Sequence, residues 1–196
     1  LDTHLPGHAL PSEFGGVVWE RTEGHPLFLA DLIRYLADGR MVAREGGKWA
    51  LQCSLDEIRR IFPAGAHAMI GKKLADLAEA DRGILLCGAV QGMQFDSAVV
   101  AQVLARDPVW VEERLSVLER VHRLVGVVGE QDQPGVPLSM RYRFAHVYYQ
   151  NALYALLTPS RRAADSLAVA RAVACLFGER GGKAAELAVL YESGRD

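Results

Sequence analysis

The sequence predicts a mainly α-helical chain: a helical layer with a small β-hairpin, then a winged-helix domain, then a helix pair that begins a helical repeat. Three observations predict this. Apolar residues recur at helical spacing along most of the chain, as in Leu29, Leu32, Ile33 and Leu36. Strand-like segments are confined to residues 41–51 and 124–144, each folded back on a turn rich in Gly or Pro. From Glu79 onward the order is helix, helix, helix, strand, turn, strand, helix, which is winged-helix order. The expected divisions are 1–78 for the helical layer with its hairpin (about 41–51), 79–157 for the winged helix, and 158–196 for the helix pair.

Each element has a local cause. Pro11 suits the first turn of a helix through Ser12 and Phe14 to Arg21, and Pro26 suits the start of the next, Leu27 to about Ala37. Gly39 stops it. Gly46-Gly47 supplies the positive φ values of a tight turn between residues 41–45 and 48–51. Ser54-Leu55-Asp56-Glu57 reads as a capping box opening a short helix to about Ile61, and Pro63 ends it. Helical spacing resumes at 64–77 through Met69, Ile70, Leu74 and Leu77. Residues 79–90 form a mostly apolar, buried helix closed by Gly92. Asp96 is placed to cap the Ala/Val-rich helix Ser97–Leu104. Asp107-Pro108 starts another helix, to about His122, with the stripe Val111, Leu115, Leu118 and Val121.

Residues 124–130 and 140–144 are the paired strands, with a turn at 132–137. His146 to Leu157 is helical. Pro159-Ser160 opens a long helix with Ala164, Leu167, Ala168, Ala172, Cys175 and Leu176 on one face, and a last helix spans 184–191.

Composition narrows the functional classes. Half of the 196 residues are hydrophobic and 23% are charged, a globular balance. A net charge of -2 gives no reason to expect a polyanion partner. No apolar run reaches the roughly 18 residues of a membrane span. The first residues resemble no signal peptide, and the start at Leu1 leads us to expect a piece of a larger protein. Cys53, Cys87 and Cys175 are few and far apart, as expected of reduced, mostly buried thiols in a cytoplasmic protein.

Two stretches imitate sites. Gly65 to Lys73 looks like a phosphate loop, but its spacer is one residue too long, no Ser or Thr follows the lysine and no strand precedes it. His4 and His8 flank a Pro-Gly turn with no third metal ligand nearby. No motif carries catalysis or holds a metal, so the segment alone is not expected to be an enzyme.

Four stretches, in register, carry a resemblance. Arg21-Thr22-Glu23-Gly24-His25-Pro26-Leu27-Phe28-Leu29 is one; Arg141-Tyr142-Arg143-Phe144-Ala145-His146 is another; Ala152-Leu153-Tyr154 follows it; Arg161-Arg162, with Glu186-Leu187-Ala188 and Arg195-Asp196, is the last. Together they resemble the signal-transduction ATPases with numerous domains, the STAND class, of large bacterial regulators. These fuse an ATPase to a kinase, a cyclase or a DNA-binding region, with tetratricopeptide-like repeats behind it.

The resemblance implies a division of labour. A P-loop domain ahead of Leu1, in the same chain, would bind ATP or ADP with magnesium; this segment would hold no cofactor alone. The lid would contribute a Gly-x-Pro element near the adenine, here Gly24, His25 and Pro26, where the family often has Asn in the middle. The winged helix would contribute a histidine that senses the β-phosphate of ADP in the NB-ARC relatives, for which His146 is the candidate. Arg141 and Arg143 would add positive charge on the phosphate side. The physics agrees: a helix N-terminus suits a nucleotide oxygen or ring acceptor, and an imidazole at a helix start can donate to a phosphate. Plainer roles stay open, with Gly24–Pro26 a helix-to-helix turn, His146 a satisfied wing histidine and the arginines exposed.

The implied function is regulatory: the segment would help sense ADP or ATP and relay the state to downstream helical repeats and an output domain. Two other readings compete. One is a scaffold for a protein partner. The other is a DNA-binding winged helix, but its reader helix, residues 108–120, carries three Glu against two Arg. Neither a nucleic acid nor a membrane partner is expected.

Overall fold

The computed structural model describes residues 9–61, 66–131, 139–178 and 183–195. The chain is mainly helical, with small antiparallel sheets, as its apolar spacing predicts. It divides into two compact units, Leu1–Ala75 and Asp76–Asp196.

The first unit comprises α1 (Phe14–Thr22), α2 (Pro26–Asp38), β1 (Val42–Glu45), β2 (Lys48–Leu51), α3 (Leu55–Ile61) and α4 (Ala66–Ala75). Helix α1 packs on α2, α3 and α4, burying Phe14, Val17 and Val18 with Phe28, Leu32, Leu36, Ile58 and Ile70. Strands β1 and β2 pair from Val42↔Leu51 to Glu45↔Lys48. Gly46 (φ 55°) and Gly47 (φ 84°) make the two-residue turn, where any Cβ would be strained. Ser54 Oγ accepts the Glu57 N–H at 3.1 Å, the expected cap of α3. The imitation phosphate loop runs into helix α4, where Lys73 pairs with Asp31 at 2.8 Å and Lys72 lies over the Tyr35 ring. The turn at 132–137, the pair His4 and His8, and the Met69 side chain lie outside the described residues.

The second unit comprises α5 (Glu79–Gln91), β3 (Gln94–Asp96), α6 (Ser97–Leu104), α7 (Pro108–Arg120), β4 (Val125–Gln131), β5 (Ser139–Phe144), α8 (Val147–Leu156), α9 (Pro159–Phe177) and α10 (Ala184–Ser193). Strand β5 lies between β3 and β4, antiparallel to both. Phe95, Tyr142 and Phe144 point from this sheet into a core with Ile84, Leu85, Val99, Val111, Leu115 and Leu118. Asp107 caps α7 by accepting the Trp110 N–H at 3.1 Å. The last two helices belong to this unit, since α9 packs on α5 and α6 as well as on α10.

Several details differ from expectation. Strand β3 is too short, three residues, to show alternation. Val121 is exposed because α7 ends at Arg120 and the chain turns through Arg123, whose φ is 51°. Helix α9 buries Ala163, Ser166, Val169, Ala170, Ala172, Val173 and Phe177; of the expected face Ala172 is buried, Leu167, Ala168 and Leu176 are partly buried, and Ala164 and Cys175 are exposed. Alanines occur all around α9, so spacing alone does not select the buried side. Of the three cysteines only Cys87 is buried; Cys53 is partly exposed and Cys175 exposed.

Burial, with a smaller contribution from the Asp165 charge, pushes the Cys87 thiol up to about 12 from 9.0, against the lowering effect of its Gln91 hydrogen bond. A raised folded-state value means that the unfolded thiol ionises first. This contribution to stability is therefore present below pH 9.0 and is lost as pH rises toward about 12. Native protein should alkylate at Cys175 promptly and at Cys87 only as fast as the second unit opens. Mass-resolved labelling checks this, and prompt labelling of Cys87 would show that its burial is misjudged.

Candidate functional site

The Gly24–Pro26 element is a tight corner between α1 and α2. Helix α1 ends on Glu23, left-handed at φ 52°, whose N–H donates to Trp19 O at 2.7 Å. Gly24 continues left-handed at φ 71°. The His25 N–H donates to Thr22 O at 2.9 Å, and the His25 carbonyl accepts the Leu29 N–H at 2.9 Å, so His25 is the cap position of α2. Pro26, which has no N–H to lose, opens the helix. The His25 ring leans on Phe28 with centroids 5.0 Å apart.

Gly24 lies under the Trp19 ring, a contact the sequence does not suggest. A Cβ on Gly24 would overlap the Trp19 ring. The indole is 67% exposed, so it can swing away, and the lasting penalty is the left-handed backbone. Gly24→Ala should therefore destabilise the first unit by about 1–2 kcal/mol, read by urea denaturation. A cost near zero would show that the corner relaxes to another conformation.

His146 occupies the cap position of α8, directly after the second wing strand. Its Nδ1 accepts the Tyr148 N–H at 3.3 Å, and its ring tilts over Tyr148 with centroids 4.8 Å apart. An Nδ1 that accepts carries no proton, so this geometry places a ring proton on Nε2.

The two wing arginines part company. Arg143 is exposed, opposite Gln94 and Gly126 in the sheet. Arg141 is half-buried and directed at Asp96: its terminal guanidinium nitrogen donates to Asp96 Oδ2 at 3.3 Å, and its Nε is 3.2 Å from Oδ1. The second contact is an ion-pair distance without hydrogen-bond alignment, since both atoms lack a hydrogen-bond partner. Asp96 is fully buried, and its Oδ2 also accepts from Lys183 Nζ at 2.9 Å. Asp96 stands at the N-cap position of α6 but makes no side-chain cap bond, because its carboxylate is turned to these two cations. Lys183, 87 residues away in sequence, gave no local signal of this role.

The six residues singled out in the sequence thus fall in two places. Gly24, His25 and Pro26 are contiguous in the first unit; Arg141, Arg143 and His146 belong to the second. Among the described residues, no cluster of His, Cys, Asp and Glu is arranged to hold a metal, and no helix is long and apolar enough to cross a membrane. No family model, curated protein or solved structure matches the chain.

Proposed function

We propose that this chain is the lid and winged-helix segment of a STAND-type regulatory ATPase of the cytoplasm. It helps sense ADP or ATP held, with magnesium, by an upstream P-loop domain. It relays that state to downstream helical repeats and to an output domain such as a kinase or cyclase. The observation that carries the reading is the set of four motif stretches in register, from Arg21–Leu29 to Arg161-Arg162 and beyond. The position of His146 supports it: an imidazole fixed at the start of α8 by its cap bond suits a β-phosphate oxygen. The α2 N-terminus behind Gly24 and His25 suits a nucleotide acceptor. Arg143 is the exposed wing cation on this reading, whereas the charge of Arg141 is committed to Asp96. The segment alone is not an enzyme; any ATP turnover belongs to the parent.

A scaffold for a protein partner is the second reading, favoured by Val189 and Tyr191 exposed on α10. DNA binding through α7 is disfavoured, because Arg114, one of its two arginines, is held on both oxygens of Asp81.

Calorimetric titration tests the proposal, using ADP with magnesium and then ATP with magnesium. The titrated proteins are the parent and the upstream domain alone. The proposal expects ADP to bind the parent more tightly than it binds the isolated domain, by a larger factor than ATP does, since a switch requires differential contacts. Equal affinities for both nucleotides in both proteins would leave the scaffold reading.

A further inference from the structure

We propose that the ionic chain Arg141–Asp96–Lys183–Glu186 is a separable latch, which holds the start of α10 against the wing and allows α10 to detach locally while the rest of the second unit stays folded. The inference does not depend on the nucleotide reading.

The charges alternate along the chain: Arg141 Nε to Asp96 Oδ1 at 3.2 Å, Asp96 Oδ2 to Lys183 Nζ at 2.9 Å, Lys183 Nζ to Glu186 Oε2 at 2.8 Å. The middle link is the deeply buried one, with Asp96 at 0% and Lys183 at 6% exposure. It also joins the most distant parts of the chain. Each outer link stays on its own side of the contact: Arg141 and Asp96 are register partners on adjacent strands of the sheet, and Lys183 and Glu186 are one helical turn apart.

Cutting the middle link therefore leaves two neutral pairs, both already formed, and no orphaned charge. An ordinary buried pair does not behave this way, because separation strands one ion in the interior. The residual bonding is also in place. Asp96 Oδ1 and Arg141 Nε face each other without an aligned hydrogen bond, so Arg141 can close on Asp96 as Lys183 leaves. On the other side α10 rests on α9, where Leu190 is its buried apolar residue; Lys183 lies over the Phe177 ring at 5.2 Å, and Val189 and Tyr191 face outward. The arrangement fits a helix that rests on α9 through Leu190, meets the sheet through one ionic contact, and can leave the sheet without damage to it.

Native-state hydrogen exchange on the whole chain, across low urea concentrations, tests the latch. In the wild type, α10 amides are expected to exchange through a local opening with little urea dependence, while amides of α6 and β5 follow global unfolding. Lys183→Met should speed α10 exchange at least about tenfold, the change expected for one lost charge-assisted hydrogen bond, and leave α6 and β5 unchanged because Asp96 keeps Arg141. Arg141→Gln removes that fallback, so α10 exchange should converge on the global rate. The proposal is overturned by wild-type α10 exchanging only with global unfolding. A Lys183→Met variant that fails to fold, or that loses α6 and β5 protection together with α10, also overturns it.

Discussion

Phe95→Ala is expected to destabilise the second unit by about 3–5 kcal/mol, the range for removing a fully buried aromatic side chain from a core. Phe95 is the hinge of the small sheet: its ring lies 6.0 Å from Tyr142 and 5.3 Å from Phe144, centroid to centroid. It also fills the space over Gly88 of α5, where an added Cβ would come within 3.0 Å of the ring. Gly88 thus exists to let the helix approach the aromatic layer. The same geometry predicts coupling: Gly88→Ala should cost about 1–3 kcal/mol alone by overpacking, and much less beside Phe95→Ala, where the cavity admits the methyl. Urea denaturation of the four proteins closes the cycle. Additive costs would show that Gly88 and Phe95 do not share the site.

Arg114→Met should cost about 3–5 kcal/mol, because it leaves the buried Asp81 carboxylate without its cation. Arg114 donates from Nε to Asp81 Oδ1 at 2.7 Å and from a terminal nitrogen to Oδ2, tying α7 to the start of α5. Hydrogen bonding to Asp81 holds the already high guanidinium value higher still. The double variant with Asp81→Leu removes both charges and should recover most of the loss, since replacing a buried pair by apolar groups is often neutral. Denaturant midpoints read both; a single variant as stable as the wild type would show that water reaches Asp81. The contrast with the four-charge chain at Asp96 is instructive: two buried carboxylates, one fixed to a single partner and one shared between two.

Legibility in the sequence followed the range of the interaction. Contacts within a few residues were readable. Gly46-Gly47 marked the hairpin turn, Ser54 and Asp107 marked caps that form, and Pro26, Pro108 and Pro159 each open a helix. The apolar stripes of α2 and α7 pointed to the sides that are buried, because polar residues occupy the other faces. Helix α9 misled because small apolar residues lie on all its faces, so the choice belongs to its neighbours α5, α6 and α10. Asp96 was read as a cap from its place before an Ala/Val run; its real partners are Arg141, 45 residues away, and Lys183, 87 residues away. The Gly24 corner is visible as a motif, whereas the reason for its glycine, a left-handed φ under the Trp19 ring, lies in the fold.

In the proposed function His146 reports the nucleotide, and its cap bond to Tyr148 offers a way to separate that role from a structural one. The measurement is calorimetric titration of ADP with magnesium into the parent protein as wild type, His146→Asn and His146→Ala. Asn is a strong N-cap residue and should preserve α8, whereas Ala should cost about 1 kcal/mol of stability. The account predicts that both variants lose about 1–3 kcal/mol of ADP affinity, the loss expected for a charge-assisted hydrogen bond to phosphate. Unchanged ADP affinity in both variants, with only the stability of His146→Ala reduced, would make His146 a helix cap and nothing more.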